Sequence, residues 1–365
     1  MHYTTELILR NKSNKKILMK EAFKLITLFS TLFFLFCNSY AQGKDDFSSK
    51  IDSIIKMKSP RVFNGVILIT QKGKTKYKKA YGYSDFDKKT PLTTEDNFVI
   101  MSNSKQITAV LILKEVEKGT IDLHSPVRKY LPDLPRSWAD TVTVHHLLNF
   151  SAGIIDVDKP LIFKPGSDFK YGNTAYVMLG KIIEKSTGRR YIDVANELFQ
   201  ELKMKNTFCF EQDKVQNRVQ GYTNSNNKFE LVVKPIENEN LVPAAGIISN
   251  ITDLNTWDIK LHKGKILKPE TYKLMTSYSI TAQHNAFGKE KIGYGYGIRI
   301  SDKTPLKYIG HTGGGWGFVS YKVYLPESDV DIVILENQSN ENLDLFYYFE
   351  VKIGEIIMKS SLMNK

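Results

Sequence analysis

The chain has 365 residues, 42% of them apolar and 25% charged, with a net charge of +12. This ordinary globular composition excludes collagen-like, disulfide-framework and broadly disordered chains. The lysines are scattered singly and in pairs, without a basic block or a nucleic-acid-binding motif, so a solvated basic face is expected and no nucleic-acid partner.

Residues 1–41 read as a secretory leader. Lys12, Lys15, Lys16, Lys20 and Lys24 precede an apolar run from Leu25 to Phe36, and Ser39-Tyr40-Ala41 offers the small residues of a cleavage site. The run is shorter than the about 20 residues that span a bilayer, so no stable membrane span is expected after cleavage. Met19 opens a compact leader of its own. Bulky Phe36 before Cys37 disfavours lipid attachment there. The protein is therefore expected to be exported, to a periplasm or the cell exterior. Its remaining cysteine, Cys209, leaves no intrachain disulfide, so the fold rests on its core.

After the leader, Asp46 is placed to cap a helix with Phe47, Ile51, Ile54 and Ile55 on one stripe. Gly65–Thr70 and Thr75–Tyr83 flank a Gly-containing turn and predict a hairpin. Residues from about 100 to 290 read as mostly helical. Gln106–Lys118 is a helix stopped by Gly119, and apolar Ala109 to Leu113 imply burial on nearly all sides. Asn173–Lys185 is a second helix, closed by Thr187-Gly188. Strands are expected again at Tyr294–Ile300, Leu306–Gly310, Phe318–Leu325 and Val330–Glu336, then an amphipathic helix over Leu343–Met358. Asn224 to Lys228 reads as a polar loop.

This order predicts an α+β fold: a mainly antiparallel sheet built from both chain ends, covered by helices, with a helical subdomain inserted. One domain, 42–365, is expected, its α/β part at about 44–100 and 290–362 and its helical subdomain at about 101–289. A cleft is expected where the two meet.

His145-His146 is tempting as a metal site, but adjacent residues diverge on a helix, and Cys209 has no partner for zinc. No metal or cofactor is expected. Gly310 to Gly317 lacks the Lys-Ser/Thr of a phosphate loop and leads into a strand. No G-x-S-x-G elbow exists.

The remaining pattern is S-x-x-K, where lysine one turn on can take the serine proton. It occurs at Ser13, Ser53, Ser102, Ser167 and Ser225. Only Ser102 opens a buried helix, where the helix N-terminus favours an alkoxide and desolvation eases the loss of Lys105's charge. Tyr171-Gly172-Asn173 opens the second helix, offering a phenol for proton transfer and an amide for a substrate carbonyl. His311-Thr312-Gly313, between two strands, is placed on the edge of the sheet, where free N–H groups and glycine admit a substrate backbone.

S-x-x-K, Y-x-N and H-T-G in this order resemble the serine β-lactamase and penicillin-binding protein superfamily, and in it the class C β-lactamase-related serine hydrolases. The resemblance spans about residues 48 to 358 and includes Asn64-Gly65-Val66, Leu147 to Ile154, Phe163 to Gly166 and Ala244 to Ile247. It implies an αβα sandwich with Ser102 in the cleft. It implies Ser102 as nucleophile, Lys105 and Tyr171 as the proton-transfer pair in either order, and Asn173 orienting the scissile bond. Backbone N–H groups of Ser102 and Gly314 would form the oxyanion hole, and His311, Thr312 and Gly313 would bind substrate.

The departures from the pattern are His311, where lactamases of the class usually carry Lys, Glu201 to Met204, and Asn149 to Ile154. The implied activity is an exported serine hydrolase acting on a small-molecule or peptide substrate: a D-Ala-D-Ala-type cell-wall peptide, a β-lactam or an ester. A non-catalytic envelope-binding protein on the same fold is the alternative. If His311 anchors a substrate carboxylate, binding should strengthen as pH falls through about 6.5. Arg299, on the preceding strand, offers a second positive charge for such a carboxylate, although strand alternation favours a solvent-facing residue.

Overall fold

The computed structural model describes residues 47–363, except 213–216, 235, 237 and 303–306. The expected leader, Ser13 and Asp46 lie outside the described residues. In chain order the helices are α1 (Phe47–Ile55), α2 (Ser104–Lys118), α3 (Val144–Leu148), α4 (Asn173–Thr187), α5 (Tyr191–Glu201), α6 (Val242–Ala245), α7 (Ile251–His262), α8 (Pro269–Met275), α9 (Leu343–Phe346) and α10 (Tyr348–Met358). The main sheet comprises β1 (Gly65–Gln71), β2 (Lys74–Tyr81), β3 (Ile280–Gln283), β4 (Lys291–Tyr294), β5 (Arg299–Ser301), β6 (Tyr308–Gly315), β7 (Phe318–Leu325) and β8 (Val330–Glu336). Its order is β3-β4-β5-β6-β7-β8-β1-β2, antiparallel throughout.

The central strands are apolar on both faces because both faces are covered. In β1, Val66 and Leu68 join the core beneath the helical segment, while Ile67 and Ile69 face the layer of α1 and α10. In β8, Val333 and Leu335 take the first side and Val330, Ile332 and Ile334 the second. Side chains alternate across a strand, so an unbroken apolar run serves two cores. The result is an α+β sandwich of three layers. α1 shows its stripe, with Phe47, Ile51 and Ile55 buried.

Four expectations change. The strand expected over 294–300 is broken into β4 and β5 by a turn at 295–298, where Gly297 takes φ 66° and the Gly295 N–H donates to Ile298 O. The segment read as a polar loop is a hairpin, Tyr222–Ser225 with Lys228–Leu231, turned by Asn226 and Asn227 at φ 52° and 62°. Asparagine tolerates that left-handed region better than other non-glycine residues. The closing helix divides at Tyr347 into α9 and α10. The H-T-G triplet lies on β6, between β5 and β7, and not on an outer strand.

Yet β5 ends early. Its pairing with β6 runs only from Tyr308 to Gly310, whereas β7 pairs with β6 as far as Gly315. Among the described residues, the β5 side of β6 has no ladder partner beyond Gly310. Among the described residues no helix is long and apolar enough to cross a membrane.

Candidate active site

Ser102 lies in a single 3₁₀ turn, Met101–Asn103, running directly into α2. Tight packing fixes this turn against the sheet. Asn103 Nδ2 donates to Ser320 Oγ on β7 at 2.8 Å, and Ser320 Oγ donates to Ile100 O at 2.6 Å. A Cβ on Gly313 would lie 2.7 Å from Ser102 N and 2.5 Å from Ser320 Oγ, and against Ile100 O. Glycine is therefore required where β6 passes the nucleophile. Ser102 itself is partly exposed, between buried Met101 and Asn103.

Lys105 follows one turn later and is fully buried. Its Nζ donates to Ser102 Oγ at 2.9 Å, Asn173 Oδ1 at 2.9 Å and Ala244 O at 2.8 Å. All three acceptors are neutral. Burial therefore acts unopposed on the ammonium and pulls its pKa down to about 7. α2 also holds α6 through Thr108 Oγ1, which donates to Pro243 O at 2.6 Å, so the Ala244 carbonyl is aimed by the next turn of the same helix.

Tyr171 stands two residues ahead of α4, its phenol directed at the Ser102 hydroxyl. Burial pushes its phenol up to about 12, against the opposing effects of Ser102 and of Arg299. Its ring packs 4.5 Å from Phe150 and has Lys105 Nζ 5.0 Å above it. Asn173 is the first residue of α4, so one helix start delivers both groups of the second motif.

His311 is buried, its ring 6.3 Å from that of Tyr171. Both nitrogens are engaged: Nδ1 with Thr312 O at 2.5 Å and Nε2 with Tyr294 OH at 3.0 Å. A carbonyl only accepts, so Nδ1 carries the proton and Nε2 accepts from the phenol. Burial, with Arg299 and Lys105 nearby, holds the imidazole well below the ordinary histidine range. The expected titration of His311 near 6.5 is therefore absent; the ring stays neutral.

Arg299 overturns its expectation. On β5, opposite Gly310, it is 3% exposed rather than solvent-facing. Its guanidinium lies 5.3 Å from the Tyr294 ring centre, and its Nε and Nη1 have no hydrogen-bond partner. Strand alternation alone missed it because sheet residues here are covered on both faces. Sequence reading also gave no role to Ala244, whose part is played by a backbone carbonyl and leaves no side-chain signal.

The other S-x-x-K serines among the described residues stand apart from any such pocket. Ser53 is exposed on α1, Ser167 in a turn, and Ser225 at the end of the strand Tyr222–Ser225. His146 is a structural cap: Thr143 accepts from the His146 N–H while His146 Nδ1 accepts from the Thr143 N–H.

A family model described as Beta-lactamase matches residues 55–350. The chain belongs to the beta-lactamase family. It is similar to Protein flp of Staphylococcus aureus (strain MW2), 26% identical over 332 residues, covering 81% of this chain and 64% of that protein. The chain thus spans just under two thirds of the length of such relatives. Penicillin-binding protein 4* of Bacillus subtilis (strain 168) is 25% identical over 320 residues, covering 76% of this chain and 69% of its own. Among solved structures, the octameric penicillin-binding protein homologue from Pyrococcus abyssi aligns with a TM-score of 0.72 and 26% identity, over 87% of this chain and 77% of that one. D-amino acid amidase from Ochrobactrum anthropi SV3 aligns with a TM-score of 0.73 over 86% of this chain and 99% of that one; at 22% identity this likeness concerns the fold.

Proposed function

We propose that the protein is an exported serine hydrolase that cleaves amide or ester bonds through an acyl-enzyme on Ser102. The observation that carries this reading is Lys105: a buried amine, 2.9 Å from Ser102 Oγ, with a pKa near 7. A lysine so placed is neutral in a large fraction of molecules at neutral pH and accepts a hydroxyl proton.

In this mechanism Lys105 takes the proton of Ser102 as Oγ bonds to the substrate carbonyl carbon. The N–H groups of Ser102 and Gly314 stabilise the resulting oxyanion. Tyr171, protonated because burial keeps its pKa near 12, donates to the departing nitrogen or oxygen and recovers a proton from Lys105. The carbon–leaving-group bond breaks, and water then attacks the ester through the same base. Asn173 offers its amide to the substrate. The unladdered side of β6 beyond Gly310 is suited to an extended substrate backbone.

The substrate class we infer carries a carboxylate near the scissile bond, as D-Ala-D-Ala-type peptides and β-lactams do. The support is Arg299, whose buried, unpartnered Nε and Nη1 lack an anion. Relatives named penicillin-binding proteins agree with this class.

One experiment tests chemistry and export together. The full gene is expressed in a secreting host, and the mature protein is treated with a fluorophosphonate or a penicillin and analysed by peptide mass spectrometry. The expected result is an N-terminus at Gln42 and an adduct on Ser102 that Ser102→Ala abolishes. That variant should stay folded, since loss of a helix-start hydroxyl costs about 0.5–2 kcal/mol. A retained leader refutes export, and an unlabelled Ser102 leaves the non-catalytic binder as the better reading.

A further inference from the structure

Thr312, buried at the centre of the H-T-G triplet, has a hydroxyl whose proton can rotate freely unless neighbours orient it. One does so directly: His284 Nε2 lies 3.2 Å from Thr312 Oγ1. His284 belongs to none of the three motifs. It caps the short turn Asn285–Phe287 after β3, at the sheet end remote from β2.

The tautomer of His284 follows from its other nitrogen. Nδ1 accepts the Ala286 backbone N–H at 3.2 Å, so it bears no proton. A neutral imidazole then carries its hydrogen on Nε2 and can only donate to Thr312. Neutrality is ensured by burial and by Arg299, which pull the pKa of His284 down to about 3. One lone pair of the Thr312 oxygen is thereby filled. The hydroxyl proton is left for an acceptor in the cleft when substrate is bound. Both Arg299 and this hydroxyl then present donors to the same anion.

We propose that His284 is a positioning residue for substrate recognition: its Nε2–H fixes the Thr312 hydroxyl as a donor to the substrate carboxylate. This rests on the hydrolase reading above. It assigns selectivity for a charged leaving group to a residue that acts through its contact with Thr312.

The test compares two esters with one acyl group, the 3-carboxyphenyl and 3-carbamoylphenyl esters of N-acetylglycine. The readout is the ratio of their kcat/KM values. Misfolding or loss of active molecules lowers both and leaves the ratio unchanged. His284→Leu, which removes the donor, should lower the carboxylate-to-carboxamide ratio about tenfold, mainly through KM, equivalent to about 1.4 kcal/mol. His284→Gln, whose side-chain amide can reach the same oxygen, should restore most of it. A ratio unchanged in His284→Leu overturns the proposal. So does an equal fall in both variants, which would give the ring a space-filling role. A wild-type ratio near one, with Ser102 still acylated, also overturns it while leaving the hydrolase reading intact. Failure of wild-type Ser102 to acylate refutes the hydrolase reading itself.

Discussion

At the scale of single residues, charge is set here by what surrounds a group. Lys105 has only neutral oxygens as partners, so desolvation alone lowers it to about 7, while Tyr171 rises to about 12. The base must be neutral to act. Acylation by an uncharged ester should therefore climb as pH rises through about 7 and level off above it, without a second fall from Tyr171 before about 12. A midpoint near the free-lysine value of about 10.4 would refute the assignment of Lys105 as base. Lys105→Arg, permanently charged, should lower the acylation rate by about 10²–10⁴-fold. Ser102 and Lys105 were legible because their spacing and the apolar run after them state both contact and burial. His284 was not, and Arg299 was legible only as a second positive charge with a solvent-facing preference, since each lies on a strand or turn that only the folded sheet brings beside β6.

At the scale of elements, the site depends on how closely β6 passes the 3₁₀ turn of Ser102. Gly313 lies where any Cβ would press on Ile100 O, Ser320 Oγ and Ser102 N. Backbone atoms cannot rotate away, so Gly313→Ala should push β6 off the turn. Overpacking of this kind costs about 1–3 kcal/mol. The catalytic loss should be larger in proportion, about 100-fold or more, because a displacement of about 1 Å in oxyanion geometry suffices. Thermal unfolding and acylation kinetics on one preparation separate the two. An active Gly313→Ala with a normal melting temperature would show that β6 does not position the nucleophile. β7 and β8 match their expected limits because long apolar runs with turn signals at both ends specify strands. The break between β4 and β5 was hidden, since Gly295 and Gly297 interrupt apolar residues that otherwise continue the strand pattern.

At the scale of the molecule, the two chain ends meet in one sheet and are fastened by a buried charge. The order of strands and helices made that closure legible; the fastening, which joins residues far apart in sequence, was not. Arg61, ahead of β1, donates from Nη1 and Nη2 to the two carboxylate oxygens of Glu336 on β8, each at 2.7 Å. It also donates from Nε to Leu345 O at 2.8 Å and from Nη2 to Phe346 O at 3.3 Å, holding α9. Glu350 lies 3.9 Å away, its pKa driven well up by burial and by Glu336 against the pull of Arg61. The same α9 end reaches the active site, for a Cβ on Gly314 would strike Phe346 and lie 3.0 Å from Tyr347 OH. Removing Arg61 strands a carboxylate in the core. Arg61→Met and Glu336→Leu should each cost about 3–5 kcal/mol, whereas the double variant should lose far less than their sum. Urea unfolding of the four proteins measures this. The pH dependence has a definite sign as well. The folded state keeps a proton on Glu350 that the unfolded chain releases above about 4.3, so this group's contribution to stability falls as pH rises from there towards its raised folded pKa. Glu350→Gln, which cannot ionise, should flatten that decline. Equal pH slopes in wild type and Glu350→Gln would show that Glu350 is already ionised in the fold.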